Sequence, residues 1–216
     1  MEITTERLAY WYFRLNGFLG LENFIVHRHL NNSQHATEID FLGVRFMHRK
    51  ELNDVVSNEH MIDDLDSELF KYYPKDKIYI CLAEVKRGRP RINSSWLNSK
   101  NSLQKLMFAL GVINKDYIPK AVEKIQRYGY CKIHRYFISF IAIGNNDFNE
   151  INLKIPIIDW YEILSFIYNR FTLHNTVKRD LSEWREFREG EILKDLAVNS
   201  NSLDRFIAQI TILNAQ

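Results

Sequence analysis

The sequence predicts an α/β domain, with a mixed central sheet flanked by helices and a helical part at its C-terminal end. Three observations predict it. Stretches with two-residue alternation or short apolar runs alternate with stretches whose apolar residues recur every three or four positions. These strand and helix patterns intermingle along the chain, the arrangement of α/β rather than segregated folds. The 216 residues are 46% hydrophobic and 26% charged, with only 8 glycines and 4 prolines, a balance that supports one well-buried core and excludes a disordered or low-complexity chain.

The first element reads as a helix through Leu8, Trp11, Tyr12 and Leu15, with Thr4 to cap its start and Asn16-Gly17 to stop it. Asn23 to His29 and Thr37 to Met47 read as two strands of a hairpin, joined through a turn at Asn31-Asn32-Ser33. Residues 48–76 are polar and read as an insertion with one short helix through Ile62, Leu65 and Leu69. Lys77 to Lys86, KIYICLAEVK, is the clearest strand, and Arg87-Gly88-Arg89-Pro90-Arg91 follows as a loop. A helix is expected from Ser95 to Leu110 with Gly111 as its stop, and another from Pro119 to Tyr128, opened by proline. Arg135 to Ile143 and Leu153 to Ile158 read as strands. Asp159 and Glu162 have capping-box spacing for a helix to Phe171. Two or three helices, broken near Gly190 and 199–202, are expected after Val177. The expected division is an α/β core over 1–158 and a helical extension over 159–216 packed on it.

Net charge is +2, so affinity for nucleic acid has to come from local clusters of Lys and Arg. Cys81 and Cys131 lie in apolar runs and read as buried thiols of a reducing compartment. The opening MEITTERL lacks the apolar core of a signal peptide, and the run Tyr136 to Gly144 is far short of the ~20 residues of a membrane helix. A cytoplasmic protein without a membrane partner is expected. There is no P-loop, no dinucleotide glycine fingerprint and no convincing serine or cysteine nucleophile. His27, His29 and His35 lack companion ligands for zinc, and Asp63, Asp64, Asp66 and Glu68 lack the glycine and spacing of a calcium loop. The acids read as a solvated helix face.

Chemistry concentrates at two strand ends. Along Lys77–Lys86 the alternation puts Ile78, Ile80, Leu82, Glu84 and Lys86 on one face, three apolar residues followed by an acid and a base. Charged groups ending a buried face are costly unless paired or used. On the other strand Glu38 and Asp40 share a face with Leu42, Val44 and Phe46. If the strands are neighbours with aligned ends, Asp40, Glu84 and Lys86 converge. Asp40 and Glu84, with the Val85 carbonyl, suit a hard ion such as Mg²⁺, which takes oxygen ligands and keeps several waters. Lys86 is then placed to stabilise charge on a reacting phosphate. The plainer readings are a strand-end ion pair for Glu84 and Lys86, and a turn-facing acid or an arginine partner for Asp40. Glu38 reads either as a second metal ligand or as a solvated acid.

TEIDFLGVRF followed by IYICLAEVKRG resembles the PD-(D/E)xK nuclease superfamily, of restriction-endonuclease-like fold, marked by an Asp on one strand and Glu-x-Lys on the next. The resemblance runs from about Glu6 to Ile143. It implies metal ligation by Asp40 and Glu84, a catalytic Lys86, Mg²⁺ as cofactor with Mn²⁺ able to substitute, and phosphodiester hydrolysis, in DNA ahead of RNA. Members such as archaeal Holliday junction resolvases carry a Glu on the first helix that supports the metal through water, and Glu6 occupies the matching place. As a bland alternative, Glu6 is an acid favoured by the helix dipole. The sequence departs from the pattern in having Ile39 where many members have proline, and in the long insertion.

Arg87, Arg89 and Arg91 directly follow the proposed ligands and read as phosphate contacts, or as an ordinary charged loop. Lys100 and Gln104 lie one helical turn apart and can face the same groove. The partners expected are nucleic acid and, beyond it, a homodimer or a larger defence or repair assembly. The rival from another class is a catalytically inert nucleic-acid-binding or assembly module that keeps the fold.

Overall fold

Burial separates the strands by their place in the sheet. In a computed structural model describing residues 3–26, 37–52, 61–62, 65–145, 155–174 and 188–214, the apolar runs form the central strands β5 (Ile78–Val85) and β7 (Tyr136–Gly144). Each has neighbours on both sides and is buried nearly throughout. β1 (Leu19–Val26) lies at one edge and alternates between half-buried and exposed until its buried last residue, Val26. The sheet order is β1-β2-β5-β7-β6, with β2 spanning Thr37–Arg45 and β6 Tyr130–Ile133, and the short β8 (Ile157–Asp159) also pairs with β7. β1 with β2, β2 with β5 and β6 with β7 are antiparallel, whereas β5 with β7 and β7 with β8 are parallel. The sheet is therefore mixed, as expected.

Helices cover both faces. α1 (Thr5–Leu15) begins at its Thr4 cap, where the hydroxyl accepts from the Arg7 N–H, and is followed by Gly17 at φ 77°. Trp11, Tyr12 and Phe13 of α1 share one core with Phe41, Tyr79, Ala83 and Val85. The same core takes in α6 (Trp160–Leu173), α7 (Arg188–Asn199) and α8 (Leu203–Asn214) through Ile167, Leu193 and Phe206. The opposite face carries α3 (Ser94–Asn98), α4 (Lys100–Leu110) and α5 (Ile118–Tyr128), which bury Trp96, Leu103, Leu106 and Ile125 against Ile80 and Leu82. Both bonds of the Asp159/Glu162 capping box form, and Gly111 ends α4 at φ 64°. Cys81 and Cys131 are buried free thiols, and burial pushes Cys131 up to about 12. Among the described residues no helix is long and apolar enough to cross a membrane.

Several boundaries differ from the sequence expectation. β1 starts at Leu19 rather than Asn23, because Leu19 and Leu21 stand exposed on an edge strand and give no burial signal. The expected helix over 95–110 is two helices broken at Ser99, which is extended (φ −117°, ψ 103°) and caps α4. β6 follows Gly129 as an unanticipated hairpin partner of β7. Ile62 lies not in a helix but in the two-residue strand β4 (Met61–Ile62), paired with β3 (Glu51–Leu52). The short helix α2 (Ser67–Phe70) starts later, capped by Asp66. That carboxylate also accepts from the Tyr12 hydroxyl at 2.6 Å, so Asp66 ties the end of the insertion to α1. The turn at 31–33, His27, His29, His35, Asp63, Asp64 and the start of the expected strand at 153 lie outside the described residues.

Candidate active site

β2 and β5 run antiparallel, and their last paired residues at this end are Phe41 and Ala83. Asp40 and Glu84 each stand one residue further on, so the ladder register alone sets them side by side. Beyond this point a side chain takes over from the backbone. Asp40 Oδ2 accepts from the Val85 N–H at 2.6 Å, filling the acceptor position the strand no longer supplies. Lys86 then closes the group, its Nζ lying 3.0 Å from Asp40 Oδ2 and 3.2 Å from Glu84 Oε2.

The cluster is graded from interior to surface. The Glu84 side chain is 2% exposed, Asp40 16% and Lys86 27%. Glu84 belongs to the face of β5 that packs on α3, and its Oε1 accepts from the buried Trp96 indole N–H at 3.0 Å. Burial pushes the Glu84 carboxyl up to about 7, with the Lys86 charge acting against the shift. For Lys86 burial works against the ammonium, yet the Glu84 and Asp40 carboxylates outweigh it and hold its pKa above the usual lysine value.

A pH dependence of stability follows. A carboxyl raised from 4.5 to about 7 on folding imposes no penalty below pH 4.5, where both states are protonated. As pH rises from 4.5 to 7 the unfolded chain ionises first, so stability falls, by about 3 kcal/mol in all at ~1.36 kcal/mol per unit. Stability from denaturant unfolding across this range should therefore fall more steeply with pH in the wild type than in Glu84→Gln. Parallel profiles would show that Glu84 ionises normally in the folded protein.

The loop that follows is pinned rather than free-running. Lys86 N–H donates to Ile143 O at 3.0 Å, Trp160 Nε1 to Lys86 O at 3.0 Å, and Asn145 N–H to Gly88 O at 2.7 Å. The loop lies so close to Gly144 that a Cβ there would come within 2.3 Å of Gly88 O and 2.6 Å of Pro90 N. Pro90 is buried while Arg87, Arg89 and Arg91, which follow Lys86 in the chain, are exposed.

Glu6 occupies the first turn of α1 and accepts from the Thr5 hydroxyl at 3.2 Å. Its neighbour Arg7 pairs with Glu22 and with Glu189, and Glu22 sits across from Phe41, which puts the start of α1 at the same end of the sheet as Asp40. However, α1 packs on the face opposite to Trp96, and among the described residues Glu6 makes no hydrogen bond or ion pair with Asp40, Glu84 or Lys86. Glu38 is exposed on β2 across from Ile25, and Lys100 and Gln104 take no part in the hydrogen-bonded cluster. Two members of the site escaped sequence reasoning, Trp96 and Trp160. The signal that could have found them is that a buried indole N–H needs an acceptor.

Among the described residues no three His, Cys, Asp or Glu side chains gather as a metal cluster. Comparison with protein-family models, curated proteins and solved structures found no match. The mixed sheet flanked by helices is compatible in a general way with the restriction-endonuclease-like topology.

Proposed function

We propose that the chain is a Mg²⁺-dependent nuclease, hydrolysing phosphodiester bonds of DNA ahead of RNA in a cytoplasmic setting. The observation that carries this reading is the convergence of Asp40, Glu84 and Lys86 from two antiparallel strands into one bonded group, with an exposed arginine loop next to it. A cationic group already stands 3.0 and 3.2 Å from oxygens of two carboxylates. That is a place for positive charge with oxygen donors, which suits a hard dication needing only one or two carboxylates beside its waters. Asp40, Glu84 and the Val85 carbonyl would hold the ion, with Mn²⁺ able to replace Mg²⁺. Once bound, such an ion lowers the pKa of a water and offsets charge on the reacting phosphate.

The chain's own residues supply the rest. Lys86 holds a proton and a positive charge beside the position of the scissile phosphate. Arg87, Arg89 and Arg91 bind neighbouring phosphates and hold the backbone across the site. Glu6 stands at the same end of the sheet, on the first helix, where a water-mediated role is open to it.

Incubation with duplex, branched and single-stranded substrates in Mg²⁺ or Mn²⁺ tests the reading, with cleavage expected for at least one of them. The second reading, an inert binding module, is favoured by one feature: Lys86 already bridges both carboxylates without any metal. Salt dependence addresses the binding surface itself. In a Lys86→Ala background, replacing Arg87, Arg89 and Arg91 by alanine should weaken duplex binding. It should also flatten the slope of log affinity against log salt by up to about 2.7, since each phosphate contact contributes about 0.9. Binding without cleavage of any substrate by the wild type establishes the inert module. An unchanged salt slope shows that the loop faces away from nucleic acid.

A further inference from the structure

Glu84 spends one oxygen on Lys86 and the other on Trp96, and the second bond is the less expected. Trp96 is fully buried and belongs to a five-residue helix placed between the arginine loop and α4. The helix is fixed at both ends: Asn93 caps it by accepting from the Ser95 N–H at 3.1 Å, and Gln126 of α5 donates to Leu97 O at 2.8 Å. An indole N–H only donates, and its ring, packed in the core with Ile80, Leu82 and Leu103, has no freedom to re-aim it. The bond of 3.0 Å to Oε1 therefore fixes the torsion of the carboxylate and leaves Oε2 as the oxygen turned toward Lys86 and Asp40.

Resting on the metal-site reading above, we propose that Trp96 is a positioning residue, which orients Glu84 so that Oε2 is the oxygen offered to the divalent ion. A tryptophan that merely filled the core would be replaceable by another ring. One that aims a ligand would not, because groups bonded to metal ligands typically change affinity by about 10–100-fold when removed. The N–H also matters energetically, since a buried carboxylate deprived of a donor turns toward another or takes up a proton.

The test uses the full chain and two measurements. Mn²⁺ affinity is measured by calorimetry for wild type, Trp96→Phe and Leu103→Ala, the last a cavity in the same core that leaves Glu84 untouched. Trp96→Phe is expected to bind about 10–100-fold more weakly, and Leu103→Ala as the wild type does. The indole N–H signal of Trp96, assigned by side-chain connectivity in ¹⁵N-labelled wild-type protein, is followed during a Mg²⁺ titration. It is expected to shift as Glu84 takes up the ion, and this arm needs no variant to fold. A folded Trp96→Phe that binds like the wild type, or an indole signal unmoved at saturating Mg²⁺, overturns the positioning role and leaves the metal site standing. Equal weakening in Leu103→Ala overturns it too, by showing that core loosening suffices. Absence of Mn²⁺ binding in the wild type removes the metal reading and this role together.

Discussion

Lys86→Ala is expected to remain folded and to bind DNA while cleaving at least about 100-fold more slowly, a barrier increase of ~2.7 kcal/mol. The fold should survive because the lysine sits at the rim, 27% exposed, and because Glu84 has a second way to shed its charge. With the ammonium gone, the buried carboxyl is pushed still further toward its neutral form rather than left as an uncompensated ion. The metal behaves in the opposite sense to activity. In the wild type the ammonium stands between Asp40 Oδ2 and Glu84 Oε2, where a divalent ion would compete with it. At a pH high enough to keep Glu84 ionised in both proteins, Lys86→Ala should bind Mn²⁺ at least as tightly as the wild type. Single-turnover cleavage and calorimetry on the same preparation read both quantities. Wild-type cleavage by the variant would reduce Lys86 to a counter-ion at a strand end. Weaker Mn²⁺ binding would show that the ammonium assists the metal instead of competing.

The parts of this site that could be read from sequence are those that follow from strand periodicity. Alternation along KIYICLAEVK placed Glu84 and Lys86 on one face, and the antiparallel register of β2 with β5 brings Asp40 alongside, one step past Phe41 and Ala83. Capping chemistry was equally local, which is why Thr4, Gly111 and the Asp159/Glu162 box were legible. What was not legible depends on contacts between distant segments. Trp96 and Trp160 lie 12 and 74 residues from the groups they bond, and nothing local distinguishes them from core tryptophans. Asp66 reads as one more surface acid until Tyr12, 54 residues away, is seen to donate to it. At the edge strand β1, Leu19 and Leu21 are apolar yet 67% and 59% exposed, so hydrophobicity misstates their burial. Glu6 shows the limit of positional analogy, since the same place in a first helix is compatible with the sheet end without any direct bond to the cluster.

Asp40→Asn and Glu84→Gln should each lose measurable Mn²⁺ binding, and the reason is charge rather than ligand count. Above pH 7, with Glu84 ionised, two carboxylates and one ammonium leave the wild-type cluster with a net charge of about −1, which attracts a dication in a half-buried setting. Neutralising either acid brings the cluster to about zero, and the attraction that offsets dehydration of the ion disappears. The amide variants keep most of the structural bonds. Asn at position 40 still offers an oxygen to the Val85 N–H, and Gln at position 84 one to the Trp96 indole. Asp40→Ala, by contrast, strips the Val85 N–H of its acceptor and should cost a further ~1–3 kcal/mol of stability, separating the structural share of Asp40 from its electrostatic one. Calorimetric titration with Mn²⁺, paired with denaturant unfolding of the same variants, distinguishes the two. Loss of binding in folded Asp40→Asn and Glu84→Gln supports a shared ion between the strand ends. Undiminished binding in both would move the ion elsewhere on the protein, and the bonded group of Asp40, Glu84 and Lys86 would then be a structural lock on the ends of β2 and β5.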